Sequence, residues 1–333
     1  MLRSALLDRA LTHPRLPDPA LRFGSRLATR MRLKSEQAGG VEAQEDRLRS
    51  LVWHLSHGPI SEREPPDDLP AAFYALFLGP REKYSCALWT TATDLPAAEE
   101  AMLALTCERA QVADGMDVLD LACGWGALAI WIAERYPAAR VVGVTNSAAQ
   151  REHIERRGLA NLEVLTAEEA LRSGRTFDRV LAVELLEHMR NWKELLHRVA
   201  AALTPDGRVF IQHFSHRSLA YRFEGAWASE RLFTGTTMPS HDLLLRFQDD
   251  LVVEDRWAVA GFHYARTLRA WLERLDANSG PAVAILEHAT TRKEARRRLA
   301  AWRLFLISAA EIWSRHDGDD WLVSHYFLAP RRR

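Results

Sequence analysis

Glu184, Glu187 and His188 stand within five residues of one another at the end of an apolar run, Val180–Val183, in the stretch RVLAVELLEHM. Charged groups are rarely buried unless they are paired or at work, so chemistry is expected where that run ends. Two carboxylates and an imidazole are the side chains that move protons and attract cations near neutral pH. Glu184 and His188 are four residues apart, so one helical turn would set them on the same side. A plain surface ion pair is the structural alternative.

The run needs a scaffold that brings its end to a ligand. From Met116 the chain alternates short β-rich runs with helical ones. DVLDLA leads into CGWG, and ALAIWIAERYP reads as a helix stopped by Pro137. RVVGVT, LEVL, RVLAVE and GRVFIQHF supply further strands. Helices are expected over Ser147–Arg157, Ala167–Arg172 and Trp192–Leu203. This alternation predicts an α/β, doubly wound, Rossmann-like sheet of parallel strands. Val180–Val183 is then the fourth strand, and its C-terminal end lies beside the glycine loop after the first, in the switch-point crevice where such sheets bind ligands. Three segments follow: helical residues 1–110 that cap the site, a core over 111–215, and a C-terminal part, 216–333, of substrate-binding helices plus the last strands.

The loop VLDLACGWGALA places Gly124 and Gly126 between strand and helix, where a ligand can approach the backbone and the helix N-terminus. It is not a dinucleotide fingerprint. Counted from Gly124 and Gly126, the third glycine position is Ala129, and Ala122 precedes the pair. Asp120 at the strand end would repel a diphosphate but welcome the amino group and sulfonium of S-adenosylmethionine. A tight turn with no ligand is the alternative.

The motifs VLDLACGWG, VTNSAAQ and VELLEHM resemble the S-adenosylmethionine-dependent methyltransferases of the seven-stranded class, whose last strand is antiparallel. More narrowly, YSC at Tyr84–Cys86, CERAQVADGMDVLDLACGWGALA, RFQDDLVVEDRWAVAGFHYARTLRAWLERLDAN, WRLFL and WLVSH are similar to coclaurine N-methyltransferase and its relatives, a branch near the cyclopropane fatty acid synthases. The resemblance covers about residues 45 to 328 in order. It implies that Ser85 and the loop at Gly124 and Gly126 face the methionine part of the cofactor, with Asp120 and Ala122 as further cofactor-binding residues. It places Thr145, Asn146 and Gln150 at the ribose, with Ala167 and Glu168 at the adenine. It assigns Glu184, Glu187 and His188 to amine binding and proton removal.

A second constellation competes. In cyclopropane synthases a Cys, Glu, His and Tyr hold a bicarbonate that takes a proton from a lipid carbocation. The matching positions are Cys86, Glu187, His213 and Tyr264. The amine branch carries glutamate where Tyr84 stands and phenylalanine where Tyr264 stands, so this chain mixes features of both branches. Each residue also has an ordinary reading: Cys86 as a small buried apolar group, His213 and Tyr264 as core. Trp89, Trp227, Trp257, Phe262, Trp302 and Phe305 can form an aromatic wall for a cationic or planar acceptor or simply pack. Asp249 and Asp250 read as a turn motif or as partners for a substrate cation.

The bulk numbers set limits. The 333 residues carry a formal net charge of zero, so no global field attracts nucleic acid. Forty of the 44 basic residues are arginines, with lysine only at 34, 83, 193 and 293, a skew that fits a GC-rich bacterial genome. Three unpaired-looking cysteines fit a reducing cytoplasm, and no metal-ligand spacing is present. No apolar run reaches the roughly 18 residues of a membrane helix, and the N-terminus lacks a signal-peptide core. The amphipathic arginine face of LRFGSRLATRMRL suits a packed, solvated helix or at most a peripheral membrane contact. A homodimer is compatible with the sequence. The leading expectation is an S-adenosylmethionine-dependent N-methyltransferase of a small amine. Transfer to an unsaturated acyl lipid, with bicarbonate, is the alternative, against which the short leading segment counts. A non-catalytic S-adenosylmethionine-binding protein is the third.

Overall fold

The computed structural model describes residues 16–60, 69–223 and 235–332. Helices α1 (Asp18–Gln37), α2 (Gly40–His54), α3 (Ala71–Ala75) and α4 (Leu95–Arg109) precede the sheet. The wound core then runs β1 (Asp117–Asp120), α5 (Ala127–Arg135), β2 (Arg140–Val144), α6 (Ala148–Glu155), β3 (Leu162–Leu165), α7 (Ala167–Arg172), β4 (Phe177–Val183), α8 (Trp192–Ala201) and β5 (Leu203–His216). After a small ribbon, β6 (Tyr221–Arg222) with β7 (Thr237–Met238), come β8 (Leu251–Ala260), α9 (Phe262–Ala277), α10 (Ser279–Glu287), α11 (Arg292–Trp313) and β9 (Trp321–Pro330).

The seven strands of the main sheet are ordered β3-β2-β1-β4-β5-β9-β8. β9 runs antiparallel to both of its neighbours and the wound strands are parallel. This is the expected doubly wound sheet with an antiparallel last strand. The strands are covered on both faces, which is why β4 reads as an unbroken apolar run: Val180, Leu181 and Ala182 are all essentially inaccessible. Helix starts follow side-chain caps, with Ser147, Thr166 and Asn191 each accepting a backbone N–H of the first turn.

Two helices leave no amphipathic stripe in the sequence. α4 buries Leu95, Ala98, Met102, Leu103 and Cys107 together with Glu99 and Thr106, so polar and apolar residues share its inner side. α10 is short and apolar, SGPAVAILE. The arginine face of α1 is largely solvated, as expected: Arg26 and Arg30 are exposed and Arg22 is half-buried. Arg22 and Arg26 also bond Glu311 of α11, at 2.7 and 2.5 Å. Phe23, Leu27 and Met31 are exposed beside them. α1 is thus strapped across α11, and the two helices close one end of a cavity that begins at the sheet.

Candidate active site

The C-terminal ends of β1 and β4 are neighbours, with Asp120 opposite Leu181, and both open into a cavity of about 1830 Å³. Single-ligand pockets run to roughly 1,000 Å³, so this one has room for two molecules side by side. One half lies over β1, β2 and β3; the other lies under α1, α9 and α11.

On the first side, Ser85, Asp120, Ala122, Gly124, Thr145, Asn146, Gln150 and Ala167 all line the cavity. The two glycines of the loop do different jobs. Gly124, at φ +54°, would point a Cβ into open space, whereas a Cβ on Gly126, at φ +84°, would strike Ile154 and Ile130. Gly124 therefore leaves room for a ligand, and Gly126 lets α5 begin against α6. Thr145 donates its hydroxyl to Gln150 Oε1 at 2.6 Å, and Asn146 Oδ1 accepts the Ala167 N–H at 3.1 Å, so the loops after β2 and β3 are pinned together. Glu168 sits apart: it is exposed, paired with Arg172, and not on the cavity wall.

Asp120 is 1% exposed and its Oδ2 has no hydrogen-bond partner. Burial pushes its carboxyl up to about 7, against the pull of the Ala129 and Ala122 amides and the Lys83 charge. An orphaned buried carboxylate oxygen beside an open glycine cradle suits a cationic ligand, and S-adenosylmethionine carries both a sulfonium and an ammonium. The residues present fit that cofactor.

On the second side, Glu184 directly follows β4 at φ +52°, a left-handed backbone unusual for a side chain with a Cβ. Its N–H donates to Gln212 O at 2.7 Å, which fixes the turn. Its carboxylate collects donors: Tyr264 O–H to Oε2 at 2.7 Å, the Cys86 N–H to Oε1 at 3.3 Å, and the Gln212 amide at 3.5 Å. Burial raises the Glu184 pKa, while Lys83, Tyr264 and the Cys86 amide favour the anion. His188 lines the cavity and meets the Thr236 hydroxyl at 3.4 Å. Glu187 does not line it. That side chain is wholly buried, Oε1 accepts the Phe214 N–H at 2.8 Å, and burial pushes its pKa well up. The trio therefore splits, with Glu184 and His188 on the wall and Glu187 behind it.

His213 lies on the other face of β5 from Gln212, as alternation along a strand requires. Its ring packs near Trp192 and Tyr326, and burial drops its pKa to about 4. The Cys86 side chain is likewise buried off the cavity wall, whereas Tyr84 and Tyr264 line it. Tyr84 stacks on Trp271 at 5.5 Å and meets Tyr74 edge-on. Of the six aromatic candidates, Trp302 and Phe305 face the cavity. Trp89 bonds Thr267, Trp257 lies under Arg109, Phe262 is off the wall, and Trp227 falls outside the described residues. Asp249 pairs with Lys193 and Asp250 with His197, away from the cavity.

Two residues at the site had no place among the sequence candidates, Gln212, whose amide reaches Glu184, and Lys83. Lys83 is 4% exposed, donates to Ser85 Oγ at 2.5 Å and to Cys86 O at 2.8 Å, and lines the cavity. Burial lowers its pKa; Glu184, Cys86, Glu99 and Asp120 oppose that shift. The available signal was that Lys83 is one of only four lysines among 44 basic residues.

The family described as mycolic acid cyclopropane synthetase matches residues 61–317. (S)-Coclaurine N-methyltransferase of Thalictrum flavum subsp. glaucum is 37% identical over 329 residues, covering 93% of this chain and 91% of that protein. The Papaver somniferum enzyme of the same name is 35% identical and covers 93% of each. The crystal structure of coclaurine N-methyltransferase bound to N-methylheliamine and SAH superposes with a TM-score of 0.90 at 33% identity, covering 97% of this chain and 99% of that one. The chain belongs to the mycolic acid cyclopropane synthetase family of S-adenosylmethionine-dependent methyltransferases, with the coclaurine N-methyltransferases among its relatives.

Proposed function

We propose that the protein methylates the nitrogen of a small amine with an aromatic body. The observation that carries this reading is the shared cavity: the Asp120 notch and the Glu184 carboxylate open into one space, roofed on the acceptor side by Tyr84, Trp271, Trp302 and Phe305. When bound, S-adenosylmethionine supplies an electrophilic methyl group. An amine is mostly protonated at neutral pH and offers no lone pair until a proton leaves. Glu184 attracts the ammonium and accepts that proton, and its raised pKa makes it a stronger base than an exposed glutamate. Tyr264 and the Cys86 amide hold the carboxylate in place, and His188 on the same cavity wall is the group to which the proton passes. The aromatic faces attract a cationic or planar body, and α1 with α11 keeps water from the reacting atoms.

Mass spectrometry with isotope-labelled cofactor tests this against isoquinolines, simple alkylamines and unsaturated phospholipid vesicles. The expected product is an N-methylated aromatic amine. Labelled phospholipid with unlabelled amines would overturn the reading.

A further inference from the structure

The four positions that the lipid-modifying relatives would use for bicarbonate do not enclose a vacancy. Cys86 offers its main-chain N–H, and Tyr264 its hydroxyl, but both already donate to the Glu184 carboxylate. Glu187 accepts the Phe214 amide through Oε1 and keeps a buried, unpartnered Oε2, while His213 points away through the opposite face of β5, its Nδ1 at 3.0 Å from Phe214 O and its Nε2 unpartnered among Trp192 and Tyr326. The neighbouring strand residue, Gln212, turns its amide toward Glu184 instead. A carboxylate and a bicarbonate present the same flat pair of anionic oxygens, so one nest of donors cannot hold both. The residues present do not fit free bicarbonate.

We propose that the Glu184 carboxylate is the tethered occupant of this anion pocket. The enzyme then needs no bicarbonate, and trimming the side chain turns the pocket into a site for a free one-carbon oxyanion. Tyr264, the Cys86 N–H and the Gln212 amide would remain as donors, with the Lys83 ammonium supplying the compensating charge. The backbone favours the experiment: at φ +52° glycine is the least strained residue, so Glu184→Gly removes the plug without distorting the turn. In that variant a bound formate or bicarbonate takes the amine proton in place of Glu184 and leaves as the conjugate acid. The proposal rests on the same site as the amine reading but is tested separately from it.

The experiment compares the full-length wild type, E184G and E184Q, using sodium formate and sodium bicarbonate as probes. Binding is followed by carbon-13 line broadening of the labelled anions, and turnover is measured with and without them in carbon-dioxide-stripped buffer. The wild type is expected to bind neither anion and to keep its rate after stripping. E184G should bind formate and regain at least tenfold of its lost turnover when formate is added. E184Q keeps the plug without its charge, so it should neither bind nor respond. Loss of wild-type turnover on stripping, restored by bicarbonate, overturns the proposal without needing any variant. So does folded E184G that binds neither anion. If E184G binds formate while E184Q turns over like the wild type, the pocket stands and the base assignment for Glu184 falls.

Discussion

The two halves of the cavity are built in opposite ways. The cofactor side takes Asp120, Gly124, Thr145, Gln150 and Ala167 from the ends of three successive strands, each within a turn or two of its β-segment. The acceptor side joins the end of β4, α9, α11 and α1 to the 83–86 loop, which gives Tyr84 to the acceptor and Ser85 to the cofactor side, and its outer strap links Arg22 to Glu311 across almost the whole chain. A site made from consecutive strand ends keeps its geometry as long as the sheet folds. One assembled from distant segments depends on helix packing, and substitutions there can change the acceptor without touching the sheet.

That division can be broken experimentally. The largest effect is expected for Glu184→Gln: turnover falls by about 10²- to 10⁴-fold, while calorimetry finds the cofactor dissociation constant unchanged. A collapse of both would mean that the halves are not separable. Asp120→Asn should weaken cofactor binding by roughly 10- to 100-fold, the range of one charged hydrogen bond. Burial holds Asp120 protonated until pH approaches about 7, so wild-type cofactor affinity should climb as pH rises through that value. The Asn variant should show no such climb. The same shift makes the ligand-free protein lose stability as pH climbs from 3.8 to about 7, where the unfolded chain has released the proton that folding retains.

Gly126→Ala should cost about 1–3 kcal/mol of stability in a denaturant melt, from positive φ and the collision with Ile154. Gly124→Ala places its methyl in open space, so it should lower cofactor affinity more than its backbone strain alone lowers stability. The smallest effect belongs to Trp302→Ala. It should raise KM for an aromatic amine roughly 2- to 30-fold, the span of a cation–π contact, with the cofactor constant unmoved in the same titration.

What could be read from the chain follows the same division. Apolar runs interleaved with capped helices announced the sheet, because parallel strands buried on both faces cannot hide their composition. Asp120, Gly124 and Glu184 stood at strand ends, which the topology turns toward one crevice. Lys83 and Gln212 escaped notice because neither lies in a patterned element end. Gln212 is adjacent to a more conspicuous histidine, and only the strand's alternation decides which of the two faces the site. Two of the six aromatic candidates, Trp302 and Phe305, face the cavity, for a related reason: composition reports how many rings there are, and only helix rotation says which of them face inward. α4 falls within the expected helical segment 1–110, but its bounds were not legible because its inner side mixes Glu99 and Thr106 with its apolar residues.

The clasp between α1 and α11 carries a consequence for behaviour in acid. Burial pushes Glu311 up, yet the guanidiniums of Arg26 and Arg22 outweigh it and keep the carboxyl below its ordinary 4.5. A depressed acid lends its stability above its unfolded value and surrenders it as pH falls through the folded one. Protonation then leaves two cations facing a neutral group and removes one link between α1 and α11, while Arg303 to Asp18 and Ser25 to Ser308 still join them. Acidification should therefore loosen the roof of the acceptor chamber before the sheet gives way.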